Sequence, residues 1–204
     1  MEAESEEFSD MIVVDFIDAY KNLSIKIYTM MIWKQEYCDE ASYFLRTNDD
    51  TIVNFTNLQS FITNNSENVE DLQIYGSIIR RPIPKRDMKN KWYVSTKEYS
   101  GQIYPDFCAG WSCLYTKPAV EAVLDQASST NYLWLDDVLF GGILAQKGNV
   151  SRIHLQKLFM PHFKFKHYYN FICGSFGPVN FIAAHFHELD QFLKNNGEID
   201  CNKT

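Results

Sequence analysis

The sequence has no run of the ~18 to 20 apolar residues that a membrane-spanning helix needs. Its best apolar strand-like stretch near the start covers only residues 11–14, and the first ten residues are acidic, unlike a signal peptide. Read by itself, the chain is expected to be soluble, with no segment that would admit it to the secretory pathway. Its five cysteines, Cys38, Cys108, Cys113, Cys173 and Cys201, include no Cys-x-x-Cys pair of the kind that builds a zinc ribbon. A soluble hydrolase or phosphatase is disfavoured, because there is no Gly-x-Ser-x-Gly nucleophile motif and no metal-binding histidine cluster. No internal repeat is visible. No basic tract offsets the net charge of −7. Residues 80–91 are locally basic, but Pro82 and Pro84 interrupt them, so they read as a surface loop and not as a nucleic-acid footprint.

What the chain does have is apolar mass. Apolar residues make up 46% of its 204 positions and aromatics 15%, which is enough for one sizeable core and argues against disorder. Five Asn-x-Ser/Thr sequons, beginning at Asn22, Asn54, Asn64, Asn149 and Asn202, hint at a lumenal history that the missing signal contradicts.

Periodicity predicts a strand over residues 11–16 and then a helix over 20–33, with Leu23, Ile27, Met30 and Met31 on one face. Strands are expected over 41–46, 71–79 and 111–115, and helices over 54–64, 119–126 and 133–146, with Pro118 at the first helical position of the second. Residues 95–110 should be irregular. Alternating strands and helices suggest a mixed α/β fold around a mainly parallel sheet, in a single domain.

Three segments could carry chemistry. Asn48-Asp49-Asp50 follows a predicted strand, where α/β proteins gather ligands. Adjacent carboxylates there can hold a divalent cation or simply form a turn. Asp136 and Asp137 sit between apolar neighbours at a helix start. One of them can be a general base with a raised pKa, or both can merely favour the helix terminus. Gly141 and Gly142 just beyond allow close approach of a ligand or of a packed helix. Finally, residues 99–111 gather rings, glycines and a proline, suiting either a sugar-stacking platform or a loop packed on the core.

Taken in series, these segments resemble the β-1,3-galactosyltransferase and β-1,3-N-acetylglucosaminyltransferase family (glycosyltransferase family 31), over about residues 8–195. The resemblance runs through Asp15-Phe16-Ile17-Asp18-Ala19-Tyr20-Lys21-Asn22-Leu23-Ser24, then Trp33 and Cys38. It continues through Arg46-Thr47-Asn48-Asp49-Asp50 with Asn54, Lys91-Trp92-Tyr93-Val94-Ser95, and Tyr104-Pro105-Asp106-Phe107-Cys108-Ala109-Gly110. It ends on Asp136-Asp137-Val138-Leu139-Phe140-Gly141 and Ala184-His185. Asn48 stands where the family has an acidic residue, and Asp136 where it has Glu.

The resemblance implies a GT-A-like nucleotide-diphospho-sugar transferase fold, present here without its first strand–helix units, stem or membrane anchor. It implies an inverting, Mn²⁺-dependent enzyme on the lumenal side of the Golgi membrane. The expected donor is UDP-galactose or another UDP-hexose, such as UDP-N-acetylglucosamine, and the expected acceptor is a glycan on a glycoprotein or glycolipid. An inactive glycan-binding paralogue is the non-enzymatic alternative.

Residue by residue, it implies Asp137 as catalytic base and Asp50 with His185 as metal ligands, His187 being the alternative two positions on. Asp49 and Asn48 would lie beside the metal and donor. Tyr104, Phe107, Trp111 and Asp136 are the expected substrate-facing residues. A lumenal domain further implies at least one disulfide, expected between Cys108 and Cys173.

Overall fold

The computed structural model describes residues 6–7, 9, 11–155, 158–160 and 173–175. Residues 11–19 form no strand, so the one expected over 11–16 is absent; Ile12 and Val13 are 52% and 65% exposed. β-Branched residues favour extended chain, but a strand exists only where a neighbour takes its backbone hydrogen bonds.

A short 3₁₀ turn (Tyr20–Asn22) enters helix α1 (Leu23–Tyr37). The buried positions of α1 are Ser24, Ile27, Met31 and Lys34, whose spacing puts them on one face. Ser24 Oγ donates to the Leu133 carbonyl at 2.5 Å, tying α1 to the segment that leads into Asp136.

Strand β1 (Tyr43–Thr47) passes through a turn at 48–50 into β2 (Thr51–Val53). Asn54 then starts α2 (Phe55–Asn64) by accepting the Asn57 N–H on its side-chain oxygen at 3.0 Å. Strand β3 (Gln73–Ile79) is followed by a long helix-free loop and then β4 (Phe107–Thr116). Thr116 caps α3 (Lys117–Asp125), with Pro118 in its first turn as its sequence indicates. Helix α4 (residues 136–147) opens with an α turn, Asp136–Val138, continues as a π segment, Leu139–Leu144, and closes with Ala145–Lys147. Strands β5 (Ser151–His154), β6 (Phe159–Met160) and β7 (Cys173–Ser175) complete the described elements.

The sheets are mixed and mostly antiparallel, which corrects the expected mainly parallel arrangement. One sheet has the order β1-β4-β3-β5, with both β4 pairings antiparallel and β3–β5 parallel. The other has the order β2-β7-β6, antiparallel and then parallel. The physical reason lies in the β3–β4 connection. A crossover helix would return the chain in the same direction; residues 80–106 form none, so β4 runs back between β3 and β1.

Side chains of the central strands alternate between two cores. Ile74, Cys113 and Tyr115 face a large cluster with Met31, Val120, Val123, Leu139 and Leu144. Tyr75 and Leu114 face a smaller one with Leu58 and Phe159.

The loop at 80–106 is a defined structure. The Arg86 guanidinium donates to the carbonyls of Val94, Tyr99 and Gly101 at 2.7, 2.8 and 2.8 Å. At the loop's neck the Tyr104 N–H donates to the Pro82 carbonyl at 2.8 Å, and the Arg81 N–H to Asp106 Oδ1 at 2.8 Å. Charge-assisted hydrogen bonds contribute about 1.5–3 kcal/mol each. Changing Arg86 to Met should therefore speed amide hydrogen exchange at Val94 and Tyr104 by roughly 10- to 100-fold while leaving β4 protected. Unchanged exchange at those amides would show that the clasp does not hold the loop.

Candidate active site

Strand β4 does not track β3 evenly. Cys113 lies opposite Gly76 and Cys108 opposite Ile78, so residues 109–112 bow out as an arch between the two pairings. Cys108 and Cys113 close the base of this arch with a disulfide, Cα to Cα 6.2 Å. The expected Cys108–Cys173 bond is therefore replaced. Cysteines five positions apart on one strand cannot ordinarily meet, but the arch draws its two ends together.

Three elements meet at the arch. From β1, the buried Arg46 Nη2 donates to Asp136 Oδ2, forming an ion pair with both side chains almost fully covered. From the arch, Gly110 fills the space between Arg46 and Asp137. A Cβ at this position would stand 2.7 Å from Arg46 Nη1 and 3.1 Å from the Asp137 Cβ, so only glycine fits without displacement. From α4, Asp137 accepts the Val138 N–H at 2.8 Å and a further hydrogen bond from the Gly110 N–H.

Desolvation, and then the neighbouring charge of Asp136, push the Asp137 carboxyl up to about 6; Arg46 and the two N–H donors oppose the rise. The group thus titrates close to neutral pH while remaining partly open to solvent. Tyr115 is fully buried and sits in the field of the same three charged groups. Burial raises its phenol well above the usual range.

The Asn48–Asp50 turn is attached to the same arch. The Trp111 carbonyl accepts from the Asn48 N–H at 3.0 Å, Thr51 Oγ1 at 3.3 Å and Thr47 Oγ1 at 3.4 Å. Asn48 and Asp49 are exposed and Asp50 is half-buried. Neither Asp49 nor Asp50 forms an ion pair among the described residues. As hard oxygen donors on an accessible turn, these two carboxylates suit a divalent cation. The described residues bring no third His, Cys, Asp or Glu to complete such a cluster. His185 and His187, the expected metal ligand and its alternative, lie outside the described residues.

The aromatic expectations divide. Tyr104 and Phe107 are core residues, 5% and 7% exposed, and so do not form an open sugar-facing wall. Trp111 is half-exposed, its ring 6.4 Å from Phe159. The Tyr104 phenol has no hydrogen-bond partner among the described residues, and burial pushes it up to about 12, with Arg86 opposing. Gly141 and Gly142 serve helix packing: Cβ atoms there would meet the Cys108 backbone at 3.1 Å and the Phe107 Cβ at 3.0 Å.

Two residues escaped sequence reasoning. Arg46 looked like the polar end of a strand, and Gly110 like a loop glycine. A cation closing an apolar strand, with an unpaired acidic pair elsewhere, was the available signal, but a partner 90 positions away is visible only in three dimensions.

The Galactosyltransferase family matches residues 1–156. The chain belongs to the galactosyltransferase family. Among similar proteins of this family, β-1,3-galactosyltransferase 1 of Mus musculus is 34% identical over 148 residues, 72% of this chain and 45% of that protein. β-1,3-Galactosyltransferase 5 of Mus musculus is 29% identical over 202 residues, 97% of this chain and 64% of its own length. Lactosylceramide 1,3-N-acetyl-β-D-glucosaminyltransferase B of Danio rerio is 32% identical over 149 residues, 72% of this chain and 39% of that protein. This galactosyltransferase-family chain thus spans a little under half of the first of these relatives. Its mixed α/β domain is consistent with a GT-A-like fold.

Proposed function

We propose that this chain carries the catalytic base and the cation-binding turn of an inverting β-1,3-galactosyltransferase. The reaction moves galactose from UDP-galactose to a glycan hydroxyl on a glycoprotein or glycolipid. The observation that carries the reading is the Asp137 carboxyl, raised to about 6, partly open, and fixed by N–H groups from two elements. Such a group is ionised at neutral pH yet basic enough to accept a proton.

Asp137 takes the proton of the acceptor hydroxyl as that oxygen bonds to the anomeric carbon of the donor. The bond from that carbon to the diphosphate breaks, UDP leaves, and attack from the opposite face inverts the centre. Arg46 holds Asp136, and Asp136 in turn helps set the field at Asp137. Trp111 offers a partly exposed ring beside the turn. Asp50, with His185, would hold a divalent cation such as Mn²⁺, with Asp49 beside them, and the cation would supply positive charge for a diphosphate leaving group. Asn48 contributes an amide where a carboxylate would bind the cation or donor more strongly. Membership of the galactosyltransferase family supports a Golgi lumenal location for the reaction.

N-acetylglucosamine transfer is the second reading, favoured by the similarity to the Danio rerio enzyme. Incubating the chain with UDP-galactose, UDP-N-acetylglucosamine and UDP-glucose, Mn²⁺ and an array of glycan acceptors decides between them. The expected product is a β-1,3-linked galactoside. An N-acetylglucosamine product selects the second reading, while a retained anomeric configuration, or no glycoside from any donor, overturns both.

A further inference from the structure

The loop between β3 and β4 is more than a connector. Seven cationic and two acidic side chains fall within residues 80–98, in a chain whose total charge is −7. Arg86 is consumed as the internal clasp. Arg80, Arg81, Lys85, Lys89, Lys91 and Lys97 are all exposed, and none pairs with a carboxylate among the described residues.

Large apolar side chains are interleaved with these cations. Ile83 is 70% exposed, Met88 80% and Trp92 46%. Folding normally withdraws such groups from water, and the Arg86 clasp, the Tyr104–Pro82 neck and the Asn90–Asp87 turn would each allow a loop with a different outer face. Lys91 Nζ lies 4.5 Å from the Trp92 ring centre, so one cation and one ring present a joint surface.

We propose that this loop seats the protein on a bilayer surface bearing anionic headgroups. Ile83, Met88 and Trp92 reach the headgroup–acyl boundary, and the free lysines and arginines meet the headgroup charge. The combination decides the partner. A soluble polyanion would use the cations but gain nothing from Ile83 and Met88, whereas a neutral bilayer would take the apolar groups but not the charge. Tryptophan with flanking Lys and Arg is the composition that settles at such a boundary. The inference goes beyond the proposed transfer reaction; for a lumenal chain the headgroups concerned are those of acidic lipids in the lumenal leaflet, for which phosphatidylserine serves in the test as an anionic probe.

The test is vesicle flotation of the full chain, with phosphatidylcholine alone or with about one-fifth phosphatidylserine. Binding is expected only to the anionic vesicles, weakening as salt rises from about 0.1 to 0.5 M. K89E/K91E and M88S/W92S, at exposed positions and checked for wild-type circular dichroism, should each lower partitioning by roughly tenfold or more. As a check independent of those variants, brominated lipid should quench tryptophan fluorescence in the wild type and much less in W92F. The proposal is overturned by equal binding to neutral vesicles or by no binding. Binding that heparin displaces and M88S/W92S leaves intact would also overturn it, assigning the loop to a soluble polyanion.

Discussion

Changing Asp137 to Asn is expected to slow sugar transfer by ~10²- to 10⁴-fold, the usual range for loss of a general base. It should also remove one pH-dependent component of stability. The carboxyl titrates at about 6 in the folded chain because desolvation and Asp136 disfavour its charge. In the unfolded chain an aspartate titrates near 3.9. Between these values the folded chain holds more proton, so this group's contribution is most favourable below about pH 4 and is lost as pH rises through about 6. The gap of roughly two pKa units bounds the change at about 3 kcal/mol.

Asparagine offers one accepting oxygen where aspartate offers two, which imposes a cost of its own. That cost does not vary with pH. The melting temperature of D137N relative to wild type should therefore rise steadily from pH 4 to pH 7. A constant difference, or near-normal transfer, would remove Asp137 from the role assigned to it. In the wild type, kcat/KM should fall on the acid side with a midpoint near pH 6.

Arg46→Met is expected to be the most destabilising single change at the site. Asp136 is 8% exposed, and Arg46 is the cation that pairs with it. Removing one partner of a buried ion pair costs about 3–5 kcal/mol, because the remaining charge is left without compensation. For a chain of this size that corresponds to a melting temperature lower by roughly 6–20 °C. The Asp136→Leu change in the R46M background should recover much of the loss, since an apolar pair can fill the same space. Arg46 also holds the Asp137 value down, so any R46M protein that stays folded should show its acid limb shifted above that of wild type. R46K keeps the charge without the planar fork and should fall between the two. Melting of R46M within ~1 kcal/mol of wild type would mean that Asp136 finds water, and that the pair is not closed.

The sequence revealed the helices more reliably than the sheet, for physical reasons. Asn54 and Thr116 mark helix starts through bonds to residues three positions on, so their signal is local. Strand direction carries no such mark. The apolar runs of β3 and β4 look alike whether they lie parallel or antiparallel, and alternation with helices suggested the wrong choice. The residues at 11–14 look like a strand because propensity is all that can be read there, and no strand among the described residues receives them. At the site, Asp137 and the Asn48–Asp50 turn stood out as unusual acid groupings. Arg46, Gly110 and the Cys108–Cys113 bond did not, because each acquires its meaning from the arch, which has no local sequence code.

The close seating of Gly141 and Gly142 on β4 sets limits on where the chain can tolerate insertions and deletions. Each residue of a helix, α or π, rotates the chain about the helix axis, so adding or losing one between Asp137 and Gly142 would swing the acidic pair away from Arg46 and Gly110 while the glycines stayed on the strand. The spacing within that half of α4 therefore admits no drift in length. The tip of the β3–β4 loop is under no comparable constraint. Its neck is closed by Tyr104 and Pro82, and doubling a flexible loop costs only about 0.6 kcal/mol in closure entropy. Length variation among descendants of this chain should be purged from 137–142 and tolerated at the loop tip wherever the outward face of Met88 and Lys89 is kept.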